Sequence, residues 1–305
     1  MDRGMGARWQ LGARIAAVLF VAAGAVPCHA GVILTTSGNV ATADISLSSG
    51  SQTYTAQVTI TFDTVANLSA AELGLTADLI DPSDPVLLAR LPACAIPLSG
   101  CVTVDPNFPV MVTVEPLNLP WLFASGFDAD DPPSANMSFT NTYEIEVHTD
   151  ALSYVTWSPY RLFKGPVNGA LNDITEDVLA GSVRARGRGG SFSQFLLVSD
   201  TRLSPSVEML KEHDLQVRIL TAPLGSALQA ELLALLASLQ TAVAILDYPS
   251  AIGELDQLIG TIQAHAGIDV ANVWDSERTL TNDAGEILAL AQTLRFTLVL
   301  LQNGH

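Results

Sequence analysis

The chain has 305 residues, 49% of them apolar, and carries 14 Lys+Arg against 31 Asp+Glu for a formal charge of −17. That length allows one to three domains with a real core, and the apolar content rules out disorder as the main state. The acidity argues against a nucleic-acid partner, which needs a basic surface to neutralise phosphates, while three cysteines and 15% charged residues fit neither a disulfide-dense scaffold nor a long coiled coil.

Arg3, Arg8 and Arg14 precede an uncharged apolar run from Ile15 to Val26, followed by Pro27, Cys28, His29 and Ala30. This is the order of a secretory signal peptide, and the run is too short for the ~20 residues of a spanning helix. Residues 1–30 are therefore expected to be removed, with no transmembrane segment afterwards. Their loss takes three arginines and Asp2 and moves the formal charge from −17 to −19. It also leaves one even pair, Cys94 and Cys101, expected to close a short loop in an oxidising compartment. Two unlinked thiols are the other reading.

From Gly31 to about Arg202 the period is two. Ala41, Ala43, Ile45 and Leu47 alternate with polar residues, as do Tyr54, Ala56, Val58, Ile60 and Phe62. Further strands are read at Val110 to Val114, Phe139 to Val147, Tyr160 to Phe163, Val183 to Arg186 and Phe192 to Val198, and the stretch from Leu68 to Leu91 as loop with a short helix. Many short strands between Pro-, Asp- and Gly-rich loops predict an antiparallel β-sandwich over residues 31–202.

After about Leu203 the period becomes helical. Leu228 to Leu246, Ile252 to Ile262 and Ile287 to Leu301 place apolar residues at steps of three and four. Asp247-Tyr248-Pro249 separates the first two helices, Gly267 ends the second, and Asp283 with Glu286 reads as the cap of the third. The expectation is a three-helix bundle over residues 203–305, and an α+β chain as a whole.

No G-x-S-x-G, H-E-x-x-H, P-loop or dinucleotide fingerprint occurs, and no histidine lies three to five residues from another. Asp128, Asp130 and Asp131 cluster on one loop and read either as oxygen ligands for Ca²⁺ or as a solvated acidic loop. Arg184, Arg186 and Arg188 repeat every second residue, so an extended strand points all three to one face. They read either as a binding stripe for an acidic glycan, a carboxylate or a protein partner, or as counter-ions to Glu144, Glu146 or Asp173. Trp121, Tyr154, Trp157, Tyr160 and Trp274 are either sugar-stacking rings or core.

Arg161-Leu-Phe-Lys164, Asp173-Ile-Thr-Glu176 and Arg184 to Phe195 with its Phe192-Ser-x-Phe ending together resemble an uncharacterised family of secreted bacterial proteins, a domain of unknown function. Tyr248-x-x-Ala-Ile to His265-x-Gly267, with Ala284-Gly-x-Ile-Leu-x-Leu-Ala291, resembles FIVAR/FIMAH-type helical modules, which implies an accessory or binding role. Residues 273–278 depart from that pattern. The sequence is thus expected to encode an exported, non-catalytic interaction or accessory protein of the bacterial envelope, with no metal or cofactor beyond Ca²⁺. The alternatives are a hydrolase-like enzyme with its site between the two parts, or a Ca²⁺-dependent glycan-binding module.

Overall fold

The computed structural model describes residues 30–94, 100–116, 136–154, 157–179 and 181–305. Alternation builds the first sheet. Strands β1 (Ala30–Ser37), β2 (Val40–Ser49), β3 (Gln52–Ala66), β7 (Ser138–Ser153), β11 (Ser182–Gly189) and β10 (Thr175–Leu179) lie side by side in that order, antiparallel. The second sheet runs β4 (Leu75–Leu79), β6 (Val110–Val114), β12 (Gln194–Asp200), β8 (Tyr160–Gly165) and β9 (Asn172–Asp173), with β5 (Val102–Thr103) beside β12. Every second residue of β2, β3, β7 and β11 is buried between the sheets: Ala43, Ile45, Val58, Ile60, Ile145 and Val183 meet Val112, Val114, Leu162 and Leu197. This is the expected sandwich.

Strand β12 does not alternate, because both its faces are covered. Phe195 and Leu197 enter the main core, while Leu196 and Val198 enter a second one under the short helix α2 (Pro85–Leu88) with Leu87, Leu91, Phe163 and Leu171. The stretch read as loop with one helix holds two short helices, α1 (Ala70–Leu73) and α2, flanking β4. Cys94 and Cys101 stand 4.9 Å apart at Cα, within the span of a disulfide.

The helical half differs from expectation. It contains four long helices, not three: α3 (Ser204–Thr221), α4 (Ser226–Ala244), α5 (Tyr248–His265) and α6 (Asp283–Gln302). Leu215, Leu232, Leu239, Leu255, Ile262, Leu294 and Leu298 share their core. Helix α3 lacks a clean apolar period because it buries two polar residues, Glu208 and Lys211, on its inward face. The cap of α6 is Asn282, whose Oδ1 accepts from Gly285 N at 2.9 Å. Asp283 and Glu286 instead reach Arg218 and Lys164.

The two halves are joined by more than a linker. Residues 273–278, which depart from the helical-module pattern, contain β13 (Val273–Asp275), which pairs with β7 in the first sheet. Trp274 stacks on Phe139, ring centroids 5.3 Å apart, inside the sandwich core. Helix α6 then lies against β7, β10 and β11. At this approach Gly190 faces the backbone of Glu286 and Gly285 faces Asn141 O, both too close for a Cβ. Asn282 Nδ2 donates to Asn141 O at 2.6 Å and Gly190 O at 3.2 Å, and Asn141 and Asn272 exchange two further bonds. By length and composition α4 and α6 would reach across a membrane, but α6 is mostly enclosed by the protein, as a core helix is.

Candidate functional site

Arg184, Arg186 and Arg188 do share the outer face of the first sheet, since Val183 and Ala185 between them face the core. Their surroundings split the stripe. Arg186 Nε sits 2.6 Å from Glu146 Oε2. Arg188 Nε donates to Glu176 Oε1 at 3.1 Å, its Nη1 donates to Thr142 Oγ1 at 2.8 Å, and Glu144 and Asp63 lie within 4 Å. Arg184 is exposed on a shallow trough of about 550 Å³ with Asp44, Gln57, His148 and Asp150. Two of the three arginines are therefore neutralised across the sheet, by glutamates.

Asp173 is not among their partners. It is buried in the junction with Lys211 of α3, their side chains 4% and 6% exposed and 2.7 Å apart. Lys211 also donates to Thr293 and Thr297 of α6, and Thr293 Oγ1 donates to Thr175 O. Burial opposes ionisation of Asp173, but Lys211 and Arg161, with hydrogen bonds from Lys211 and Thr175, outweigh it and hold the carboxyl below its usual range.

Where α6 leaves the sheet a groove of about 490 Å³ opens. Tyr154, Trp157 and Phe296 supply its apolar surface, and Arg161, Arg186, Arg295, Glu144, Glu176 and Asp177 its polar surface. Trp157 is 47% exposed, held with φ 64 at the rim, one face stacked on His305 at 3.9 Å. Most of the polar groups are already engaged. Arg161 donates to Ser158 O and Tyr160 O and lies over the Phe296 ring, and Arg295 pairs with Asp256. Burial pushes the Glu176 carboxyl up, with Glu144 and Asp63 adding to that and Arg188 opposing it. The Glu146 hydrogen bond raises Arg186 further. A groove with an aromatic rim and charge-paired walls suits a polyhydroxylated ligand that is itself uncharged.

A second groove of about 630 Å³ lies at the other end of the junction, with Lys164, Ser191, Arg218 and Glu286. Lys164 Nζ is 3.2 Å from Ser191 Oγ, the spacing of a serine and its base. Glu286, 3.5 Å from Lys164, alters that reading. Burial disfavours its charge, but Lys164, Ser191 and Arg218 outweigh that and hold the Glu286 carboxyl below its usual range, so Lys164 faces a carboxylate as well as the hydroxyl.

Of the five aromatic candidates, Trp274 is core, Tyr160 is half-buried with its hydroxyl on Asp105 Oδ2, and Tyr154 and Trp157 line the groove. Trp121 and the acidic run Asp128, Asp130 and Asp131 lie outside the described residues. Among the described residues no group of three or more His, Cys, Asp or Glu is placed to hold a metal ion. The sequence reading missed Glu176, Arg161 and Phe296 as groove residues. Only the fold brings α6 against β10 and β8.

Comparison with known proteins finds no match among curated proteins and none among solved structures. No comparison supports the FIVAR/FIMAH resemblance of the helices. A family model matches residues 15–302, sandwich and helices in one continuous span, and the chain belongs to that family, described as a family of unknown function (DUF6689).

Proposed function

We propose that the protein is an exported, non-catalytic binding protein of the bacterial envelope or surface, and that the groove between the sandwich and α6 takes a neutral saccharide. The observation that carries this is Trp157, half-exposed at the rim of a groove whose charged walls are mostly paired. Sugar C–H faces stack on indole, while hydroxyls exchange hydrogen bonds with fixed guanidinium–carboxylate pairs. Export rests on the Arg3-to-Ala30 leader. A glycan array probed with the exported protein and its Trp157→Ala variant tests the reading: a neutral glycan retained by the parent and lost by the variant supports it. Equal retention by both, or none by either, overturns it.

A second reading has one observation behind it. Glu176, whose carboxyl burial pushes up against the opposing pull of Arg188, lines the same groove as Glu144, and two carboxylates at one site are what a glycosidase uses. Release of reducing ends from a retained glycan, abolished in Glu176→Gln, would establish it.

A further inference from the structure

We propose, resting on the saccharide reading above, that the groove at Trp157 continues past Gln292 into the hollow beside it, so that the ligand is a chain of several sugar rings lying along α6 and not a single sugar.

Leu288, Gln292, Phe296 and Val299 follow one another at steps of three and four, which places them in one stripe along α6. Phe296 and Val299 line the groove at Trp157, Leu288 lines a hollow of about 390 Å³ nearer the start of the helix, and Gln292 lines both. From Leu288 in the hollow to Asn303 in the groove the helix rises about 22 Å, longer than any one sugar ring. The sheet beneath is continuous as well. Thr142 in the hollow and Glu144 in the groove are successive outer-face residues of β7. Arg188 in the hollow lies 3.8 Å from Glu144 and 3.1 Å from Glu176, both in the groove.

The hollow offers little free charge. Asp63 and Arg188 face one another at 3.7 Å, and Thr142 Oγ1 donates to Asp63 and accepts from Arg188. Asn141 Oδ1 accepts from Asn272 Nδ2. What remains are the carboxamides of Gln263 on α5 and Gln292 on α6, which hydrogen-bond to no other residue among the described ones. Each presents a donor and an acceptor together, as a sugar hydroxyl does.

The floor also selects against the other common extended ligand. A peptide binds a sheet by pairing with an exposed edge, whereas β7 is flanked here by β3 on one side and β11 on the other, so its backbone is taken. Only side chains are left to read the ligand, and in the hollow the unpaired ones are amides.

Calorimetric titration of the exported protein with gluco-, manno- and galacto-oligosaccharides of one to six rings tests this, together with Gln292→Ala and Gln263→Ala, neither of which removes a core side chain. In the series that binds, affinity should rise at least tenfold between two rings and five and then level off. Each variant should lower the affinity for the long chains about fivefold, the worth of one neutral hydrogen bond, and leave that for the short ones unchanged. A parent that binds one ring as tightly as six, or variants that bind the long chains like the parent or weaken every length alike, would overturn the extended ligand while leaving a sugar at Trp157. No binding at any length in any series would overturn both.

Discussion

Lys211 shows how much one residue can carry. It is nearly enclosed, yet its ammonium meets Asp173 and the hydroxyls of Thr293 and Thr297, so α3, α6 and the sandwich share one polar cluster. Removing one member of a buried ion pair strands the other, at about 3–5 kcal/mol. Lys211→Met should lose stability of that order in urea unfolding, and adding Asp173→Leu should recover much of it. Because Asp173 is depressed, its contribution is present above the ordinary carboxyl range and lost as pH falls through its folded value. Glu208 has the opposite sign. Burial, then the hydrogen bond and charge of Glu212 one turn on, raise its carboxyl from about 4.5 to about 8. The folded state thus holds a proton that the unfolded state gives up, and this contribution is complete below about pH 4.5 and lost as pH rises through about 8. Glu208→Gln should flatten the decline in melting temperature across that window; an unchanged slope would show that Glu208 does not hold the proton.

Among the elements, α6 is fixed at its first turn. Asn282 caps the helix and holds two sandwich carbonyls, while Gly285 and Gly190 permit backbone approach. Asn282→Ala removes the cap and leaves those carbonyls unpaired, a loss of about 1–3 kcal/mol. Gly285→Ala should be no milder, since its methyl has no room beside Asn141 O. Thermal unfolding of both variants checks this, and a melting temperature equal to the parent's would contradict the docking described. The sequence made β2, β3 and β7 legible because they alternate, and α4, α5 and most of α6 because their leucines keep helical spacing. It hid α3 behind buried polar residues, and β13 behind its three-residue length. The groove was half legible: Arg186, Tyr154 and Trp157 stand out by spacing and type, but Glu176, Arg161 and Phe296 become neighbours only when α6 docks.

For the whole molecule, Trp274 and α6 make the halves interdependent. The sandwich core contains a ring from the helical half, and the helical half rests on the outer face of the sheet. Unfolding followed by far-ultraviolet dichroism at helix wavelengths and by tryptophan fluorescence should therefore give one coincident transition, and two separated transitions would mean independent domains. The acidity that argued against nucleic acid at the outset has a local counterpart in the groove, where most of the charged side chains are already engaged and Trp157 stands half-exposed at the rim. The most direct measurement of that claim is ¹⁹F NMR of the exported protein with fluorinated tryptophan, titrated with the glycan retained on the array and with Trp157→Phe assigning its resonance. The account predicts a saturable shift at Trp157 while Trp274, enclosed in the core, stays fixed; a bound glycan that leaves the Trp157 resonance unmoved would contradict it.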